Sequence, residues 1–191
     1  MDTLSHALYG KGIFGYRKYR WFSFLFGAIP DLLSFGVYFV FQIFSSGLDL
    51  EKSFSEKIPL WVYSLYDTSH SLVIAFIFIG IAYNVNKDFA WPMLGWPLHI
   101  VIDLFTHSIE FFPTPIFWPI SNYRFDGIPW SNPYVLMFNF VLIILIFIIR
   151  RKKHSLRTWL IVKRSRVRIT FSLLLSNYYE VFLFAGFYIF C

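Results

Sequence analysis

From Tyr134 to Ile149 the chain carries no charge. Four further runs approach that composition, at about 21–44, 70–86, 89–109 and 169–190. A spanning helix needs roughly 20 mostly apolar residues, so all five are candidate spans. The last is the weakest, because it includes Asn177 and Glu180. The expected fold is therefore all-α: a polytopic membrane helix bundle of about 4–5 transmembrane helices, over a single integral membrane domain, 1–191. Composition agrees. Hydrophobic residues make up 57% and charged residues only 15%, where a soluble domain carries about 25% charged. A chain this short exposes much of its surface, so the apolar excess must face lipid.

Thirteen of the seventeen Lys and Arg fall in two stretches. Lys11, Arg17, Lys18 and Arg20 precede the first run, and the 150–168 segment holds nine. Beside apolar segments these positives set topology rather than bind nucleic acid. By the positive-inside rule both stretches are cytoplasmic, which leaves 45–69 and 110–133 outside. No small-residue cleavage site trails the first run, so it reads as a retained span. The expected location is the inner or plasma membrane, crossed several times, with the lipid bilayer as the partner. The one cysteine, Cys191, is the last residue, which excludes an intramolecular disulfide and a cysteine metal cluster.

The 110–133 connection holds Pro113, Pro115, Pro119, Pro129 and Pro133 among Phe111, Phe112, Phe117, Trp118, Tyr123, Phe125 and Trp130. Proline at this density forbids a regular helix, and the aromatics suit a membrane–water interface. An interfacial loop and a lid over a site both fit.

A few ionisable residues fall inside or at the ends of the apolar runs: His6, Asp31, His70, His99, Asp103 and His107. Such placement is costly and marks function by default. Positions 99, 103 and 107 step by four, which puts all three on one stripe of a helix. Imidazole and carboxylate together suit a divalent transition metal: zinc, iron or manganese. Blander roles exist for each: interfacial His70 and His107, a capping Asp31, a hydrogen-bonded His99–Asp103 pair. No arginine occurs between Trp21 and Tyr123, so an anionic substrate would need the metal for positive charge.

The ordered set MDTLSHALYG, Pro30-Asp31, Ser69-His70-Ser71, HIVIDLFTH and Phe117-Trp118-Pro119-Ile120-Ser121 resembles the YdjM-like (LexA-regulated) family of inner-membrane, metal-dependent hydrolases. The resemblance covers 1–130, the hydrolase-like part; 131–191 would add anchor helices around the basic segment. That family is similar in motif order to the zinc-dependent phospholipase C and nuclease group. The likeness implies that Asp31, His70, His99 and Asp103 hold one zinc. Asp103 would bridge to a second ion at His6 and the N-terminus, and His107 would begin another site. That last site lacks its later His and acid here; Glu110, Asp126 and Asp67 are the available substitutes. One or two ions are thus expected.

A metal in this place lowers the pKa of water from 15.7 towards roughly 7 and polarises the scissile bond. Asp2 or Asp67 would act as base or orient a ligating histidine. The substrate class this implies is a phosphate ester, lipid or lipid-linked. A transporter and a metal-stapled structural protein are the competing readings. His6 poses a geometric problem, since it precedes a basic segment: the first residues must fold back as a short helix, or the N-terminal segment is re-entrant.

Overall fold

The computed structural model describes residues 1–46, 58–153, 155, 156 and 159. Among them there is helix and irregular chain but no strand. The elements are α1 (Thr3–Phe14), α2 (Phe22–Asp31), a π-helical turn (Leu32–Gly36), α3 (Val37–Ser46), α4 (Leu60–Ser69), α5 (Leu72–Val85), α6 (Lys87–Met93) and α7 (Gly95–Thr106). A last helix, α8, covers Pro133–Lys153. The chain separates into two compact units, Met1–Phe147 and Ile148–Cys191. Every contact described below lies within the first.

Two helices are long and apolar enough to cross a membrane: Phe22–Ser45 and Pro133–Lys153. A third is reached if α4 and α5, bent by 52° at their junction, count as one span. Around these, Phe76, Phe78 and Ile81 on α5 and Phe138, Phe140 and Ile144 on α8 are exposed. Such a contiguous apolar surface needs lipid or protein against it.

Two sequence expectations change here. The 89–109 run is not one helix: it divides at Leu94 into α6 and α7. Pro92 lacks the N–H an α-helix needs, Gly95 weakens the helix, and Pro97 is tolerated only because it sits in the first turn of α7. The resulting 12-residue helix is about 18 Å long, too short for a ~30 Å hydrocarbon core. The 45–69 connection is not a plain loop either, since α4 begins at Leu60. The 169–190 candidate and most of the 150–168 basic stretch lie outside the described residues.

The N-terminal difficulty resolves as a folded-back helix. Asp2 caps α1, its side chain accepting from the Ser5 N–H. The chain then reverses at residues 15–21 and α2 returns alongside α1. Close approach requires glycine on both sides. A Cβ on Gly27 would collide with the His6 carbonyl, and one on Gly10 with the Ser23 carbonyl. At the reversal, Arg17 stacks over Trp91 at 3.8 Å and Lys11 over Trp21 at 3.5 Å, which gathers charge and aromatic rings at one end of the bundle.

After α7 the 107–132 segment is irregular and ties back onto the helices. Gly127 N–H donates to His107 O at 2.8 Å, Ile128 to Phe105 O at 3.0 Å and Trp130 to Thr106 O at 2.9 Å. These bonds satisfy carbonyls left over at the end of α7. Leu72 N–H donates to Ile116 O at 3.0 Å, and Ser71 Oγ donates to Trp118 O. The segment is thereby fastened to α5 and α7 together.

Gly27→Ala should lower stability by about 1–3 kcal/mol through overpacking, read by chemical unfolding in detergent. Unchanged stability would show that α1 does not pack on α2 through this glycine.

Candidate metal centre

Asp31 closes α2, His70 sits in the bend between α4 and α5, and His99 and Asp103 occupy successive turns of α7. All four are buried. Their converging atoms lie within 4.8 Å of one another. His99 Nε2 is 3.0 Å from Asp103 Oδ2, 3.2 Å from His70 Nε2 and 3.6 Å from Asp31 Oδ1. His70 Nε2 is 3.5 Å from both Asp31 Oδ1 and Asp103 Oδ2. A tetrahedral ion with N and O ligands at about 2.0–2.2 Å places those ligands about 3.3–3.6 Å apart. Five of the six ligand–ligand distances, 3.0–3.6 Å, lie near that range.

Proton placement points the same way. His99 Nδ1 is 2.7 Å from Gly27 O, and His70 Nδ1 is 3.1 Å from Tyr66 O. A carbonyl only accepts, so both Nδ1 atoms carry the hydrogen. Both rings then turn Nε2 toward each other and toward two carboxylate oxygens. Two carboxylate oxygens facing one point repel unless positive charge lies between them, and a divalent ion there would supply it. Asp103 Oδ2, fully buried, has no aligned hydrogen-bond donor although His99 Nε2 is close; the short distance reflects convergence rather than a hydrogen bond. The donor set fits a divalent ion.

Supporting contacts hold these ligands. Thr3 Oγ1 donates to Asp31 Oδ2 at 2.8 Å. Gly27 does two things: its carbonyl orients His99, and its missing Cβ admits α1. Pro30 lies inside the span just before Asp31, and the π-helical turn after it widens the helix where the ligand sits, a common accompaniment of functional sites. Tyr66 stacks on His70 with ring centres 3.8 Å apart, and its hydroxyl donates to Phe112 O at 2.7 Å. Phe112 has φ 47°, a left-handed conformation uncommon for a bulky residue. That twist turns its carbonyl to receive both Tyr66 and His107 Nδ1, the latter at 2.8 Å.

The other oxygen of Asp103 has its own company. Oδ1 lies 2.5 Å from the Met1 amino nitrogen, 2.8 Å from His6 Nε2 and 3.5 Å from His107 Nε2. The amino nitrogen is also 3.0 Å from His107 Nε2. His6 stacks on His99 at 3.6 Å. Burial lowers the His6 pKa to about 4 despite the Asp103 carboxylate, so its ring is neutral at pH 7.

Of the six residues expected as ligands, Asp31, His70, His99 and Asp103 form one group, while His6 and His107 lie against the other oxygen of Asp103, and the row is not one stripe. α7 ends at Thr106, and His107 caps it in extended conformation; its ring joins from the chain beyond the helix. The two carboxylates expected as bases have other work. Both oxygens of Asp2 accept from Ser5, at 2.8 Å and 2.6 Å. Asp67 forms a two-oxygen ion pair with Arg124, at 2.9 Å and 3.0 Å, because the irregular segment brings Arg124 back across α4. Glu110 and Asp126 are exposed and are not among the grouped ligands. Gly27, Tyr66, Phe112 and Thr3 were not foreseen. Three of these four act through backbone carbonyls or a missing Cβ, which leaves no mark on composition or spacing.

No family model, curated protein or solved structure matches the chain.

Tyr66→Phe should keep the ring against His70 and lose the hydroxyl's bond to Phe112. The expected loss is about 1 kcal/mol with metal content equal to wild type, measured by unfolding and elemental analysis. A fall in metal content would place the hydroxyl closer to the ion than its bonds imply.

Proposed function

We propose that the protein is a membrane-embedded, metal-dependent hydrolase that binds one divalent ion, zinc by its donor set, and cleaves a phosphate ester on a lipid or lipid-linked substrate. The observation that carries this reading is the convergence of two imidazole Nε2 atoms and two carboxylate oxygens, all buried and within 4.8 Å of one another. Asp31, His70, His99 and Asp103 hold the ion. Histidine and carboxylate ligands without cysteine are the donor types of hydrolytic zinc, which also keeps a position for water, whereas structural zinc is built largely on cysteine. When bound, the ion lowers the pKa of a water towards roughly 7 and polarises a phosphoryl oxygen.

The chain's own groups do the rest. The carbonyls of Gly27 and Tyr66 fix which nitrogen of each ligating ring is free, the usual outer-shell role. Asp103 faces the ion through Oδ2 and the Met1 amino group, His6 and His107 through Oδ1. His107 Nδ1 is engaged by Phe112 O, and its Nε2 faces the Met1 amino nitrogen and Asp103 Oδ1.

Placement in the bilayer is part of the proposal. Lys11, Arg17, Lys18 and Arg20 mark the cytoplasmic end of a multi-pass protein in the plasma membrane. Asp31 lies nine residues into the Phe22–Ser45 helix, about 14 Å from that end. The irregular, aromatic 107–132 segment sits at the level of His107 and Ser71. Non-helical backbone at such depth is tolerated only when buried in protein or facing a wet cavity. We therefore place the approach to the ion on this side, opposite the basic end.

Elemental analysis of detergent-purified protein should find about one zinc per chain, and His99→Ala should lose most of it together with any phosphoesterase activity. Zinc retention should fall as pH drops, because the imidazoles must be neutral to bind. Zinc present without hydrolysis of any phosphate ester would leave a structural staple; zinc released on purification would favour transport.

A further inference from the structure

α8 looks like a lipid-facing anchor, yet its Asn139 is 1% exposed. Its Nδ2 donates to Ser5 Oγ at 2.9 Å, and its carbonyl receives Tyr9 Oη at 3.4 Å. Ser5 Oγ in turn donates to Asp2 Oδ2 at 2.6 Å, while Asp2 Oδ1 caps the Ser5 N–H. One unbroken chain of hydrogen bonds thus runs from α8 to the first turn of α1. About two turns further along, a Cβ on Gly12 would come within 2.6 Å of Ile146 Cγ2. Ser5 to Gly12 and Asn139 to Ile146 are the same seven-residue step, so α1 and α8 run side by side in one direction, as helices in a heptad register do.

A side-chain amide in an apolar helix is retained where it hydrogen-bonds across to another helix. A single buried Asn is also the best-attested device for fixing the register of a helix pair. Here the helix whose register it fixes carries His6, one residue after Ser5. His6 Nε2 lies 2.8 Å from Asp103 Oδ1, and its ring stacks on His99. Sliding or rotating α1 by a fraction of a turn would move His6 off both ligands.

We propose that Asn139 is a positioning residue of the metal centre: through Ser5 and Asp2 it sets the N-terminal turn of α1, so that His6 orients Asp103 and His99 towards the ion. This rests on the metal reading above. It gives α8 a part in the site that its apolar sequence does not announce. The geometry assigns Ser5 and Asn139 to one linked element, with neither touching the ion.

The test is zinc affinity of the full chain in detergent, by competition with a chromogenic chelator, set beside the thermal stability of the metal-free protein. Asn139→Leu should weaken zinc binding by about tenfold or more, the size expected of an outer-shell residue. Ser5→Ala should do the same, and the double variant should be no worse than either alone, as coupled residues require. Zinc affinity equal to wild type in Asn139→Leu, with only the metal-free protein destabilised, would overturn the proposal. So would additive losses in the double variant. If Asn139→Leu fails to fold, Ser5→Ala, which leaves α8 intact, decides alone: unchanged affinity sinks the idea. A wild-type chain that takes up no zinc removes the metal reading and this one with it, and is told apart because it fails before any variant is compared.

Discussion

Everything at the centre of this bundle depends on two imidazole rings being held the same way round. His99 gives its Nδ1 hydrogen to Gly27 O and His70 gives its own to Tyr66 O. With Nδ1 so engaged, each ring turns Nε2 into a pocket already lined by Asp31 and Asp103. In a low-dielectric interior such a group is unfavourable by itself. A divalent cation at that point would turn mutual repulsion into coordination. The rest of the architecture reads as what is needed to bring four short helices to one point: glycine where α1 meets α2, a break at Leu94, a bend at His70, and an irregular strap that closes over the end of α7.

Much of the donor set was legible in the sequence. Ionisable residues are rare in apolar runs, so Asp31, His70, His99 and Asp103 stand out, and a four-residue step puts His99 and Asp103 on one helix face. Periodicity overreached at His107, because helix 89–109 was read as continuous. Pro92 and Pro97 carried the contrary message, but the hydropathy of the run outweighed them. Asp67 illustrates a different limit. An acid at the end of a span looks available for proton transfer until a distant Arg124 returns through an irregular segment whose path no local pattern fixes.

The supporting residues were not legible at all, for a physical reason. Tyr66 and Gly27 serve the site chiefly through main-chain carbonyls, which every residue has. Phe112 serves it through an unusual φ, which its side chain disfavours. Asn139 sits in the most lipid-like run of the chain, where a lone amide is easily passed over. Roles of this kind arise from tertiary distance, not from residue type. By contrast the membrane-crossing character of Phe22–Ser45 and Pro133–Lys153 follows from length and composition alone, which is why the two agree so closely with the runs at 21–44 and 134–150.

The bond between Ser5 and Asn139 joins residues 134 positions apart, near the two extremes of the described chain. All four proposed ion ligands lie between them. A fragment ending after the aromatic strap would therefore contain every ligand and still lack the clasp on α1. Closing so long a loop is entropically late, so the centre takes its final shape only once nearly the whole first unit has assembled, and folding itself becomes the step that arms the site.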